Sequence, residues 1–206
     1  MKELFVCVAF LIFAGCASSP YNYRNFQEHP PRSILVLPPV SESTDLRGTY
    51  GYLSTVSFPV AEKGYYVFPV AVIDQMMKEN GVYDAYEAQQ ISLKKIEEII
   101  NPDAVLYLRL INYGTKYYVV GSDTTVTVAG KLVDIRSGIT IWEGHATATE
   151  TSGGNGMGAL ANALVYQIVN STTDKAHQVS YSANANLFWG QNTGLLDGPY
   201  RKRDNY

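Results

Sequence analysis

Apolar and polar positions change their spacing several times along the chain, and each change predicts an element. Residues 4–14 are an unbroken apolar run behind Lys2. A bilayer-spanning helix needs about 20 apolar residues, so this run is too short to cross and reads as the hydrophobic region of a secretory signal. From Ser33 the pattern is that of a folded domain. Ile34-Leu35-Val36-Leu37, closed by Pro38-Pro39, is a continuous apolar run expected of a strand buried on both faces. A helix is predicted from about Tyr50 to Lys63-Gly64, with Pro59 bending it, then a strand over 65–68 that Pro69 ends. Val70, Ile73 and Met77 recur at helical spacing over 70–79, and Asn80-Gly81 supplies the stop. Ser92 caps a helix over 93–100, apolar at Leu93, Ile96, Ile99 and Ile100 and charged on its other side. Residues 104–110 read as a third strand, and 125–133 alternate as a half-buried one. Asp134 to Gly138 is turn chemistry, and 139–149 returns as the partner strand with Trp142. A Gly-rich joint over 152–158 leads to a helix over 157–176, striped by Leu160, Leu164 and Ile168. From Asn184 onward Asn, Gly and basic residues predict an irregular tail.

The order β-α-β-α-α-β-β-β-α predicts an α/β fold, a mixed parallel/antiparallel sheet with helices packed on it. The expected division is a signal over 1–15, a lipidated N-terminus and tether over 16–31, the α/β domain over 32–182, and a tail over 183–206. A 15-residue tether reaches about 50 Å at most. Tyr21, Tyr23 and Phe26 read as incidental aromatics in a solvated linker, with docking on lipid headgroups or on the domain as the alternative.

Composition narrows the function classes. The 206 residues are 46% hydrophobic and 17% charged with net charge −3, which excludes a disordered chain and gives no basic excess for nucleic acid. The two cysteines are too few for a disulfide scaffold. Phe13-Ala14-Gly15-Cys16 resembles the bacterial lipobox, with cleavage between Gly15 and Cys16. The resemblance implies a diacylglyceryl group on the Cys16 thiol and a further acyl chain such as palmitate. Several chains together hold a protein permanently on a membrane. Cys7 then leaves with the signal, which excludes thiol chemistry from the mature domain. Ala17, where an Asp would retain the protein at the inner membrane, implies sorting to the outer membrane, with the domain on the periplasmic face.

Candidate chemistry is sparse. His29, His145 and His177 show no metal-ligand spacing with another His, Cys or Asp, so no metal is expected. Gly154-Asn155-Gly156-Met157-Gly158-Ala159 meets G-x-G-x-x-A but lacks the following parallel strand that a dinucleotide site needs. It reads as a hinge, and no cofactor is expected. No Ser lies in a nucleophile-elbow pattern, so no catalytic residue is nominated. Glu97-Glu98 reads as a solvated helix face and Arg201-Lys202-Arg203 as a solvated end. Tyr is abundant, at 16. Tyr113, Tyr117 and Tyr118, with Tyr50 and Tyr52, are either a contact surface or the rim of the sheet.

Several of these stretches together resemble one family. They are Pro31 to Pro39, Leu53 to Val70 with its Gly64-Tyr65-Tyr66-Val67-Phe68-Pro69 core, Lys78 to Gly81, the Asn101-Pro102-Asp103-Ala104 corner and the hairpin over 134–144. The chain resembles the genome-derived Neisseria antigen type of envelope lipoprotein over roughly residues 1 to 180. That resemblance implies a fold similar to the amino-terminal domain of TolB, a module also seen in LpoB-type activators of peptidoglycan synthases. It further implies a non-enzymatic component of a CsgG-like secretion or envelope transport assembly, acting as dimers or beside a CsgG-like lipoprotein. Regulation of a cell-wall synthase by protein contact is the alternative. The lipidated cysteine alone transfers, onto Cys16.

Overall fold

A computed structural model describes residues 21–45, 47–118, 121–153 and 175–201. In chain order the elements are α1 (Arg24–Glu28), β1 (Ser33–Val36), β2 (Val40–Ser41), α2 (Gly48–Glu62), β3 (Tyr66–Val67), α3 (Val70–Glu79), α4 (Ala85–Gln90), α5 (Leu93–Ile99), β4 (Ala104–Tyr118), β5 (Gly121–Asp134), β6 (Thr140–Gly153) and α6 (Lys175–Trp189). The sheet runs β3-β1-β4-β5-β6, with β2 also on β4. The α/β class and the mixed sheet are as expected. β1 lies parallel to β3 and β4, and β4, β5 and β6 form an antiparallel meander. Pro38-Pro39, lacking N–H donors, interrupts the ladder between β1 and β2. Both pieces pair parallel with β4, first at Ile34 to Val36 and then at Val40 and Ser41.

Two cores flank this sheet. On one face α2 and α6 cover Leu106, Leu108, Leu110, Val126, Val128, Leu132 and Trp142. At the β1 end of the other face, Ile73 and Met77 of α3, Ala88 of α4 and Ile96 of α5 pack on Leu35, Leu37, Val105 and Ile135. Asp103 ties the corner before β4 to β1. Its Oδ2 accepts from the Arg32 N–H, the Ser33 N–H and the Ser33 hydroxyl, each at 3.0 Å.

The short strand β2 was not foreseen, and four further details depart from the sequence reading. First, α4 was not foreseen. Asp84 caps it by accepting from the Glu87 N–H at 2.8 Å, a D-x-x-E start signal legible in the sequence. Second, β4 runs eight residues past Leu110, to Tyr118. Its pairing with β5 shifts between Leu110 and Asn112. The extra residue reverses the in–out alternation and turns Tyr113 into the core.

The other two concern the chain ends. The reading of 17–31 as a solvated tether does not hold for its described part. Residues 24–28 are helical and Phe26 is buried. Tyr21 OH accepts from the Glu143 N–H at 2.8 Å, and Tyr23 OH donates to the Gly194 carbonyl at 2.5 Å. Burying these rings yields more than a short polar linker gains from freedom. The irregular tail from residue 183 is likewise corrected. α6 continues to Trp189, with Asn184, Leu187 and Phe188 buried, and Leu195 beyond it is buried too. The 190–201 segment then crosses the end of α2. Gly198 N–H donates to the Lys63 carbonyl at 2.7 Å and Tyr200 N–H to the Gly64 carbonyl at 3.0 Å. Carbonyls that the helix end would leave without partners are thereby satisfied. The predicted helix over 157–176 lies outside the described residues apart from Lys175 and Ala176, as do residues 154–158 of the Gly-rich joint.

Candidate binding face

Among the described residues α2 and α6 cover one face of the meander, and the other is exposed where β5 and β6 pair. β5 and β6 place Thr125 opposite Thr149 and Thr127 opposite Thr147. Each pair of hydroxyls is 3.1 Å apart on the exposed side. The alternation puts Val126, Val128, Ala146 and Ala148 on the covered side of the same strands.

Where this face meets α4 and the N-terminal arm, it deepens into a groove of about 750 Å³. Tyr107 and Arg109 of β4, Lys131 of β5, and Glu143 and His145 of β6 surround Ala129. The register explains the hollow. Arg109 and His145 both pair with Ala129, and Tyr107 and Glu143 both pair with Lys131. A single methyl side chain therefore lies among long ones. Lys131 Nζ sits 5.4 Å from the Tyr107 ring centroid, and Arg109 reaches Glu42 at 3.5 Å. Burial raises the Tyr107 phenol above its ordinary range. Gln89 closes one side, donating to the Pro38 and Leu108 carbonyls at 2.9 and 2.8 Å. The groove offers cationic, aromatic and hydroxyl groups without an aligned nucleophile and base. That set can hold a polar surface in place.

The three histidines lie in separate places. His29 Nδ1 lies 3.9 Å from Asp134, His145 lines the groove, and His177 Nδ1 lies 3.0 Å from the Gly51 carbonyl. Among the described residues no three His, Cys, Asp or Glu side chains form a group able to hold a metal ion. Glu97 and Glu98 lie on α5, where Lys94 is 4.0 Å from Glu98. Gly15 and Cys16 lie outside the described residues.

The tyrosine cluster divides. Tyr52 and Tyr113 are core residues, while Tyr50, Tyr117 and Tyr118 are exposed. A hydrogen bond to Asp123, and the negative charge it carries, raise the Tyr118 phenol. The sequence reading missed Arg109, Lys131 and Glu143. The alternation of β5 had set Lys131 on the polar side with Thr125 and Thr127 without marking a site, while Arg109 and Glu143 needed the pairing register.

Residues 21–200 match the family model described as "Putative lipoprotein GNA1162-like". The chain belongs to the GNA1162-like lipoprotein family. The match spans the α/β unit, the docked N-terminal arm and the C-terminal segment alike. A lipoprotein of Neisseria meningitidis serogroup B, NMB1124/NMB1162, is 40% identical over 97% of this chain and 96% of its own length. The crystal structure of lipoprotein GNA1162 from Neisseria meningitidis is 42% identical, covers 69% of this chain and 98% of its own, and superposes with a TM-score of 0.57. PelC from Paraburkholderia phytofirmans, solved as a dodecamer, is 14% identical over 82% of this chain and 90% of its own, with a TM-score of 0.45. As a member of the GNA1162-like family the protein is a lipoprotein, held to a membrane by lipid.

Proposed function

We propose that this lipoprotein is a non-enzymatic component of an outer-membrane transport or secretion assembly, acting by protein contact through the open face of its meander. The observation that carries the reading is that face: polar, exposed among the described residues, and deepening into the groove around Ala129 with Arg109, Lys131 and His145 at its rim. Residues 1–15 are the removed signal in this reading, and Cys16 carries the lipid. Ala17 after the cysteine supports the outer membrane as destination. A CsgG-like lipoprotein or a second copy of the chain is the partner implied by the family resemblance.

The test places a photo-crosslinking residue at Thr127 in the lipidated chain, with the exposed Tyr181 on α6, across the sheet, as control. A discrete crosslinked species from Thr127, lost on Lys131→Glu, is expected. Equal crosslinking from Thr127 and Tyr181 removes the reading. Fractionation of Cys16→Ala tests the anchor separately, because a variant still sedimenting with outer membrane overturns the assignment of Cys16.

A further inference from the structure

Two facts about the chain ends combine. The described fold begins at Tyr21, five residues after Cys16. At no more than about 3.6 Å per residue, five residues span at most about 18 Å. Tyr21 is fixed at a definite place on the domain. Its N–H donates to the Asn192 carbonyl at 3.3 Å, and its hydroxyl accepts from Glu143. Asn192 lies three residues beyond Trp189 in a tight turn, where the Gly194 N–H donates to the Gly190 carbonyl at 2.9 Å. A lipid on Cys16 therefore keeps Tyr21 and the Asn192 corner beside it within reach of the bilayer.

That corner carries interfacial chemistry. Trp189 is 40% exposed and Tyr200 62% exposed. The Arg201 guanidinium lies 4.5 Å from the Trp189 ring centroid and the Lys63 ammonium 4.6 Å. Asp197 reaches both cations, at 3.4 Å to Arg201 and 3.2 Å to Lys63. The sequence continues with Lys202 and Arg203. Trp and Tyr favour the level of lipid headgroups because the ring is apolar and the tip is polar. Basic residues beside them attract anionic lipid.

Resting on the assignment of Cys16 as the anchor, we infer that the Trp189–Tyr200–Arg201 corner lies on the bilayer and contacts the headgroups of anionic phospholipids. The domain then sits at the membrane surface instead of standing off on a long tether, and its approach is fixed on one side.

The experiment uses the full lipidated chain in vesicles of phosphatidylethanolamine and phosphatidylglycerol doped with a headgroup spin label. The two tryptophans make the readout specific, since Trp142 is 0% exposed and reports as an internal control. Co-flotation of the wild type, lost in Cys16→Ala, establishes the anchor. Given that, the spin label is expected to quench about half of the tryptophan emission, as one of two rings is at the interface. Trp189→Phe should abolish the quenching, and Lys202→Gln/Arg203→Gln should weaken it in anionic vesicles while leaving the circular dichroism unchanged. Co-flotation with no more quenching than Trp189→Phe shows overturns this inference and spares the anchor. A wild type that does not float overturns the anchor and the inference with it.

Discussion

Replacing Asn184 by Ala should weaken the contact between α2 and α6 by breaking a buried hydrogen-bond network. Asn184 is 1% exposed, and its Oδ1 accepts from the Tyr52 hydroxyl at 2.5 Å. Its Nδ2 donates to Thr55 Oγ1 at 2.9 Å, and that hydroxyl donates to the Tyr52 carbonyl at 2.7 Å. Asn184→Ala leaves the buried Tyr52 phenol without its acceptor, while Thr55 keeps one partner. One orphaned buried donor costs about 1–3 kcal/mol and one lost hydrogen bond about 1, so the expected loss is about 2–4 kcal/mol. Urea unfolding of the Cys16→Ala chain, with Asn184→Ala, Tyr52→Phe and the double variant Tyr52→Phe/Asn184→Ala, measures it. Removing both partners together leaves little unsatisfied, so the double variant should cost at least about 1 kcal/mol less than the two single changes combined. A loss below about 0.5 kcal/mol for Asn184→Ala, with strictly additive singles, refutes the argument that this network joins the helices.

Gly64 has φ +91°, and a Cβ there would overlap the backbone nitrogen of Arg201. Gly64→Ala should cost at least about 2 kcal/mol from left-handed strain plus the clash, and limited proteolysis should then cut within residues 190–201. Asp103→Ala removes the acceptor for two backbone N–H groups and one hydroxyl, so a loss of about 2 kcal/mol is expected, with faster hydrogen exchange at Arg32 and Ser33. Burial raises the phenols of Tyr52 and Tyr65 well above the ordinary tyrosine range, with Asp197 adding to the effect at Tyr65. An unfolded phenol releases its proton near pH ~10, so stability is full below that value and falls as pH rises beyond it, by up to about 1.4 kcal/mol per pH unit for each phenol. Tyr52→Phe should flatten this alkaline slope in urea titrations at successive pH values.

The elements that sequence spacing identified are those whose own residues decide them. β1, α3 and α5 have apolar positions at the period of their element and a stop or cap within a residue or two. Ser92 accepts from the Lys95 N–H at 3.3 Å, and Gly138, at φ +69°, follows the Asp134 turn. Tyr113 shows where local reading ends. Its sequence context is that of any strand tyrosine, and the irregularity near Ile111 that buries it exists only in the pairing with β5. The groove shows the same limit. Ala129 is unremarkable along β5, and becomes a floor because Arg109 and His145 flank it across two ladders.

By itself the sequence determined the α/β class, five of the six strands in their chain order and the hairpin over 134–144, because periodicity and turn residues depend on neighbours in the chain. Tertiary structure decided what the two ends do. Phe26, Leu187 and Leu195 are too few and too widely spaced to announce an element, yet each is buried against the same core. Burial is a property of where the rest of the chain lies. A stretch that looks like a linker from its own composition becomes part of the domain when an apolar surface is waiting for it.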